Sequence, residues 1–310
     1  MSRSRTGAYI SAILAMTFWG FTFVLYKYAN LSFSPISIIW LRLFVSIFFL
    51  FGFAWMFKRM RRMQLKDLKW FLLMSLFEPF FYFLGEANGM TMVSPTVGAV
   101  IISTIPLVVP FAAYYLFRER LTRFNKLGLV VSFGGVMMVI LTRSDGLSAD
   151  PLGVVLMFVA VISATGYTMV VKLLVDRYTP IAITAYQSLL GLVMFTPFFL
   201  TGGLPGLEWQ AITTSSLLAV GYLGVFGSGI CFILLTIGIR ELGAARANIF
   251  ANITPVVAAL ISFLMLNEPM PLLKVVGIFV TILGLLMSQI SAIRMKKPAG
   301  VNDFRHPPYS

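Results

Sequence analysis

Histidine and cysteine are nearly absent from this 310-residue chain, which carries one of each, His306 and Cys231. One cysteine excludes a disulfide framework and a cysteine-based metal site. One histidine, placed in a polar stretch after the last hydrophobic run, excludes multi-histidine metal sites and argues against imidazole catalysis in a buried pocket. Charge is scarce as well. Asp, Glu, Lys and Arg make up 11% of the residues, where ordinary soluble domains carry about a quarter. There is no glycine-rich phosphate loop, so ATP-driven work would need a separate subunit. No cofactor and no metal are expected. What fills the chain instead is apolar: 59% of the residues are hydrophobic and the mean hydropathy is +0.91, the composition of an integral membrane protein.

A helix that crosses the hydrocarbon core needs about 20 mostly apolar residues, because the core is about 30 Å thick and a helix rises about 1.5 Å per residue. Ten stretches qualify: Tyr9–Tyr28, Ile36–Phe57, Leu68–Asn88, Ser94–Phe117, Lys126–Thr142, Leu152–Val175, Ile181–Thr201, Ile212–Gly238, Gly243–Leu266 and Leu272–Ile293. They are apolar on all faces, unlike the alternating strands of a membrane barrel. The first is too long and too aromatic for a cleaved secretory signal and is expected to be retained. The connections are short and leave no room for a soluble catalytic domain. The sequence therefore predicts an all-α integral membrane protein.

The net charge of +13 would suggest a nucleic-acid partner in a soluble protein. Here the cations collect on one side. With the N-terminus inside, the inner segments hold Arg3 and Arg5, the run Lys58 to Lys69, Arg118 to Lys126, Lys172 and Arg177, Arg240 and Arg246, and Arg294 to Arg305. That accounts for 20 of the 24 Lys and Arg. Lys27, Arg143 and Lys274 fall at outer ends, and Arg42 lies within a helix. The positive-inside rule then places both termini in the cytoplasm of a cell (inner) membrane protein, with an even number of crossings and no nucleic-acid partner.

At an offset of 149 the fourth and fifth stretches match the ninth and tenth without a gap: Pro106 meets Pro255, Glu119 meets Glu268, Gly128 meets Gly277, Gly135 meets Gly284 and Met138 meets Met287. At an offset of 145, Lys27, Pro35 and Arg42 fall on Lys172, Pro180 and Gln187. The chain thus reads as two five-helix units, residues 1–146 and 147–294, followed by a cytoplasmic tail, 295–310. Five is odd, so the second unit enters the membrane from the opposite side. Inverted repeats of this kind are a common construction of secondary transporters.

The half-ending segment SPTVGAVIISTIPLVVPFAAYYLFRERLTRFNKLGLVVSFGGVMMV returns as GAARANIFANITPVVAALISFLMLNEPMPLLKVVGIFVTILGLLM. With the Phe18–Gly20 FWG in the first helix, it resembles the EamA domain of the drug/metabolite transporter superfamily over about residues 9–293. The resemblance implies ten transmembrane helices as two inverted five-helix repeats, acting as an exporter or exchanger of small metabolites, often amino acids. It also implies a cavity lined by helices of both halves.

Charges within the hydrocarbon cost a few kcal/mol each and mark candidate functional positions. By helical rise, Arg42 lies about 10 Å, Glu86 about 6 Å and Glu78 about 18 Å below the outer surface. Glu78 is therefore near the midplane, and Pro79 after it frees backbone carbonyls of the preceding turn. It reads either as a protonatable or cation-binding carboxylate on the path or as a hydrogen-bonded brace between helices. Glu86, eight residues on, shares its face in a continuous helix. Arg42 can receive a substrate carboxylate or pair with Glu86. The repeat counterpart of Arg42 is Gln187, and that of Glu78 is Gly227.

Ser103, Thr104 and Pro106 in the fourth stretch match a polar group in the ninth, Asn248, Asn252 and Thr254–Pro255. These are candidates for substrate hydrogen bonds or for helix packing. Trp19 and Tyr82 stand near helix middles, where a ring can flank a substrate, rather than in the interfacial belts. Glu119 and Glu268 read as loop braces at opposite surfaces.

The expected function is transport and not catalysis, with a small-molecule substrate as partner, a lipid bilayer around it, and either a monomer or a homodimer as the assembly. Export or exchange of amino acids or related amphipathic compounds, with proton coupling, stands beside multidrug efflux. A membrane-embedded enzyme would need a catalytic cluster that only Glu78, Glu86 and Arg42 approach.

Overall fold

The computed structural model describes residues 2–56, 62–117, 123–141, 150–242, 247, 250, 251 and 253–294, and these are helical with no strand among them. The helices are α1 (Ser2–Ala29), α2 (Pro35–Met56), α3 (Leu68–Ser75), α4 (Tyr82–Met92), α5 (Pro95–Ile102), α6 (Ile105–Phe117), α7 (Arg123–Leu141), α8 (Pro151–Leu174), α9 (Pro180–Phe198), α10 (Thr214–Tyr222), α11 (Cys231–Leu242), α12 (Ile253–Leu266) and α13 (Leu272–Arg294). Their starts follow from local sequence. Ser34, Ser94, Asp150 and Thr179 each precede a proline, and each side-chain oxygen accepts a backbone N–H of the first turn. Capping by a polar side chain with proline at the first helical position satisfies donors the helix cannot satisfy itself. At its far end α12 gives way to Asn267 in the left-handed region, φ 52°, which asparagine tolerates better than most residues.

Among the described residues, six helical stretches are long and apolar enough to cross a bilayer: Thr6–Ala29, Pro35–Met56, Leu65–Met92, Pro151–Leu174, Pro180–Gly203 and Thr214–Leu242. The remaining predicted spans correspond to shorter apolar helices at Pro95–Val109, Lys126–Val139, Ile253–Leu266 and Leu272–Gly284. The fourth predicted span is not one uninterrupted helix. A turn at Ser103–Thr104 divides it, and the hydroxyls of both residues donate back to the carbonyls of Val100 and Ile101.

Two of the long stretches carry wide π-type turns at corresponding places. Leu76–Phe81 separates α3 from α4, with Glu78 in an extended conformation (φ −146°, ψ 115°). Leu223–Ile230 separates α10 from α11. The offset of 149 lays Glu78 on Gly227, so the interruption recurs in both halves of the chain. Such turns are frequent at functional sites because they free backbone groups and redirect side chains. The extended Glu78 also corrects the expectation that Glu86 shares its helix face, since that spacing holds only for an unbroken helix.

The halves interlock. The α1 helix packs on α10, α11 and α12, all from the second half, while α8 packs on α3, α4, α5 and α6, all from the first. The α2 helix lies against α9, and α7 against α13. The last pair is antiparallel and self-exchanging. Gly284 lies on Ser132 and the Gly128 carbonyl, and Gly135 lies on Thr281 and the Gly277 carbonyl. Adding 149 to 128, 132 and 135 gives 277, 281 and 284, so each contact is the other with the halves swapped. A methyl group on Gly135 or Gly284 would overlap backbone of the opposite helix.

Connections fall into two groups by contact. At one end, buried Asp67 accepts from Arg177 Nη1 and from the Tyr178 hydroxyl, both at 2.8 Å. At the other end, the hydroxyls of Ser32 and Ser216 stand 2.8 Å apart and Ser32 donates to the Ala211 carbonyl. The offsets of 145 and 149 carry Ser32 to Arg177 and Asp67 to Ser216, so the same junction is a charge pair at one end and a hydroxyl pair at the other. Also at this second end, Glu268 accepts from Thr96 (2.8 Å), Ser262 and Lys274, joining the start of α5 to the α12–α13 turn. Burial pushes the Glu268 carboxyl up, but the Lys274 ammonium with the Ser262 and Ser94 hydroxyls outweighs it and holds the group below the usual carboxylate range. Glu268 is thus the loop brace that its position suggested. Glu119, Arg118 and Arg120 lie outside the described residues.

Leucine at Gly135 or at Gly284 is expected to lower stability by a similar amount, at least about 1–3 kcal/mol from overpacking. Leucine at Gly134, whose Cβ would meet nothing within 4 Å, is expected to leave it unchanged. Thermal melts of the three variants in detergent check both statements.

Candidate functional site

Between the two sets of helices is a cavity with an empty volume of about 680 Å³. Six of the nine residues singled out from the sequence line it: Trp19, Arg42, Glu78, Tyr82, Glu86 and Ser103. Gln187 stands one contact away, accepting a hydrogen bond at 3.0 Å from Tyr167, which does line the wall. Asn248 and Asn252 lie outside the described residues. Thr254 is on the wall, with its hydroxyl donated to the Met16 carbonyl at 3.3 Å.

Each polar wall residue owes its position to a local feature. Trp19 sits midway along α1, and its indole N–H donates to the Gly227 carbonyl at 3.1 Å, a backbone group within the wide turn 223–230. Glu78 is carried into the cavity by the extended residue in the matching turn of the first half. Gly191 of α9 lies directly on Pro79, so any larger residue there would press on that turn. Arg42 projects from α2 into the junction of the halves. Gly227 leaves space for its guanidinium: a Cβ at that position would stand 3.2 Å from Nη2.

Arg42 is almost wholly buried, 2% exposed, and two of its nitrogens are engaged by side chains. Nη1 donates to Glu86 Oε2 at 3.1 Å, Nε donates to Ser228 Oγ at 2.8 Å, and the guanidinium lies 4.0 Å over the Phe83 ring. The other oxygen of Glu86 accepts from the Tyr82 hydroxyl at 3.0 Å. Of the two alternatives for Arg42, the structure therefore presents the ion pair with Glu86. A buried pair of this kind persists only with further hydrogen bonds around it, and Ser228 and Tyr82 supply two of them.

Glu78 differs. It is 5% exposed, faces the cavity, and has no hydrogen bond or ion pair to any other described residue. Among the described residues nothing supplies the hydrogen bond that its second reading, a brace between helices, requires. The aromatic groups near it have their polar tips satisfied by protein: Trp19 by Gly227, Tyr82 by Glu86 and Tyr167 by Gln187. Phe232 makes edge contacts with both Trp19 and Tyr167, at centroid distances of 5.2 and 5.8 Å.

Sequence reasoning missed several wall and anchoring residues. Tyr167 and Thr168 bring α8 to the wall, a helix not expected there. Phe83, Ser228 and Phe232 were also passed over. Ser228 falls inside the small-residue run Gly227–Gly229, one residue from the counterpart of Glu78, and that adjacency was the available signal. Phe83 and Phe232 are ordinary phenylalanines in an apolar helix, with nothing in the sequence to distinguish them from lipid-facing ones.

Comparison with known proteins agrees with this architecture. The profile of the EamA-like transporter family matches residues 6–141 and 151–289. An uncharacterized transporter of Archaeoglobus fulgidus is 28% identical over 277 residues, covering 89% of this chain and 96% of the relative. The uncharacterized transporter YcxC of Bacillus subtilis is 25% identical over 312 residues, covering 97% and 98% respectively. A solved crystal structure superposes with a TM-score of 0.72 at 16% identity, over 93% of this chain and 98% of the other, and shares the fold.

Replacing Arg42 with Met leaves Glu86 without its buried counter-charge, and Glu86→Gln does the reverse. Each is expected to cost about 3–5 kcal/mol, while the double variant costs clearly less than the sum. A double-mutant cycle of melting in detergent measures the coupling.

Proposed function

This chain belongs to the EamA-like transporter family, and we propose that it is a secondary transporter of small amphipathic metabolites, exporting or exchanging them by alternating access around the cavity at Glu78. The observation that carries this is a buried carboxyl, without a partner among the described residues, in a cavity walled by residues from both matched segments of the chain. A multi-pass protein of this family has little use for an unpaired buried acid unless something is exchanged there, because such a group is costly in a water-poor interior.

The scaffold is taken as ten crossings in two inverted repeats, residues 1–146 and 147–294. The self-exchanging α7–α13 contact supports it, because equivalent helices that meet antiparallel have opposite directions in the membrane. The recurrence of the wide turns at Glu78 and Gly227 supports it too. Interrupted helices at the repeat interface are a recurrent feature of substrate and ion sites in secondary transporters. The distribution of cations favours the Asp67–Arg177 end as the cytoplasmic side of an inner membrane, with both termini on that side. In this reading Glu78 exchanges protons or substrate, Trp19 and Tyr82 flank the substrate with Ser103, and Arg42 with Glu86 holds the wall. Amino acids or related compounds are the first substrate class to test, and lipophilic drugs are the second, favoured by the aromatic wall.

In proteoliposomes screened by counterflow, the wild-type chain is expected to accumulate at least one small amphipathic solute. Glu78→Gln is expected to reduce pH-gradient-driven transport roughly tenfold or more, with an unchanged melting transition. Full pH-driven transport by a folded Glu78→Gln protein would remove Glu78 from the coupling step.

A further inference from the structure

The charges that line the cavity decide which ligands it accepts. Arg42 is the one Lys or Arg among the described wall residues, and its charge is matched within the wall. Glu86 neutralises it, Ser228 takes its Nε–H, Phe83 covers its face and Gly227 backs its Nη2. A ligand carboxylate entering here would meet, among the described wall residues, a guanidinium already neutralised by Glu86, and would add a further acidic group beside Glu86 and Glu78. Glu78 is the opposite case, an acceptor with no donor among the described residues. The Trp19, Tyr82 and Tyr167 donors that could have served it are directed to Gly227, Glu86 and Gln187. What these residues leave for a ligand is ring surface, and ring faces attract cations.

We propose that the cavity selects organic amines: the ligand's ammonium donates to Glu78 beside the rings of Trp19, Tyr82 and Tyr167, and its apolar or aromatic body fills the remaining space. Acids are rejected, and zwitterions are discriminated against because their carboxylate finds no cation among the described wall residues that is not already neutralised. The inference deepens the transport reading and rests on it for the statement that the ligand is the cargo.

The test is a charge series on one skeleton. Phenethylamine, phenylalanine, 3-phenylpropionate and 2-phenylethanol are titrated by calorimetry into the purified full chain in detergent. Phenethylamine is expected to bind at least about tenfold tighter than the other three, to lose at least about tenfold in Glu78→Gln, and to keep its preference in Glu78→Asp. Equal or tighter binding of the acid or the zwitterion overturns the proposal, as does undiminished amine binding in folded Glu78→Gln or no amine binding at all. Should Glu78→Gln fail to fold, the wild-type series and Glu78→Asp still decide. Counterflow in proteoliposomes then separates the two readings. Amine binding without counterflow removes transport and keeps the charge selection, whereas counterflow of the acid or zwitterion in preference to the amine keeps transport and overturns the amine class.

Discussion

A guanidinium buried in a membrane protein must be neutralised and held by hydrogen bonds, and the interior of this protein is arranged around that requirement. Arg42 from α2 is met by Glu86 and Phe83 from the first half and by Ser228 from the second. The position that corresponds to Glu78 in the second half is glycine, and its missing side chain is where the guanidinium fits. One residue therefore joins the halves across the cavity and removes its own positive charge from it. Glu78, on the same wall, is left without a hydrogen bond or ion pair to another described residue.

The two halves share backbone contacts and differ in chemistry. Packing of α7 on α13 is unchanged when the halves are exchanged, because Gly128, Gly135, Gly277 and Gly284 let backbones touch and two such surfaces fit in only one mutual arrangement. At the ends the symmetry is broken. Asp67 and Arg177 close one end, and Ser32 and Ser216 stand at the corresponding place on the other. Within the cavity, Glu78 opposite Gly227 and Arg42 opposite Gln187 break the symmetry again and concentrate the charge in the first half.

Several parts of the site were legible because hydrocarbon makes charge conspicuous. Arg42, Glu78 and Glu86 are the ionisable residues within otherwise apolar runs, and all three line the cavity. Trp19 and Tyr82 were legible by depth, away from the interfacial belts. Lys274 was not: read as a cation at an outer end, it is buried against Glu268 six residues earlier, a pairing that depends on how the turn between α12 and α13 folds back. The break at Glu78 was half-legible. Pro79 marked a disturbance, but the extended backbone that turns the carboxyl into the cavity follows from packing against α8 and α9.

By itself the sequence determined the medium, the family and the short list of costly residues, since hydropathy, a repeat at constant offset and charge within apolar runs are all linear properties of the chain. Which of those residues satisfy one another was decided only in three dimensions. Arg42 and Glu86 are 44 positions apart and Arg42 and Ser228 are 186 apart. Whether a buried charge is paired or left over depends on contacts between helices, and no local pattern encodes them.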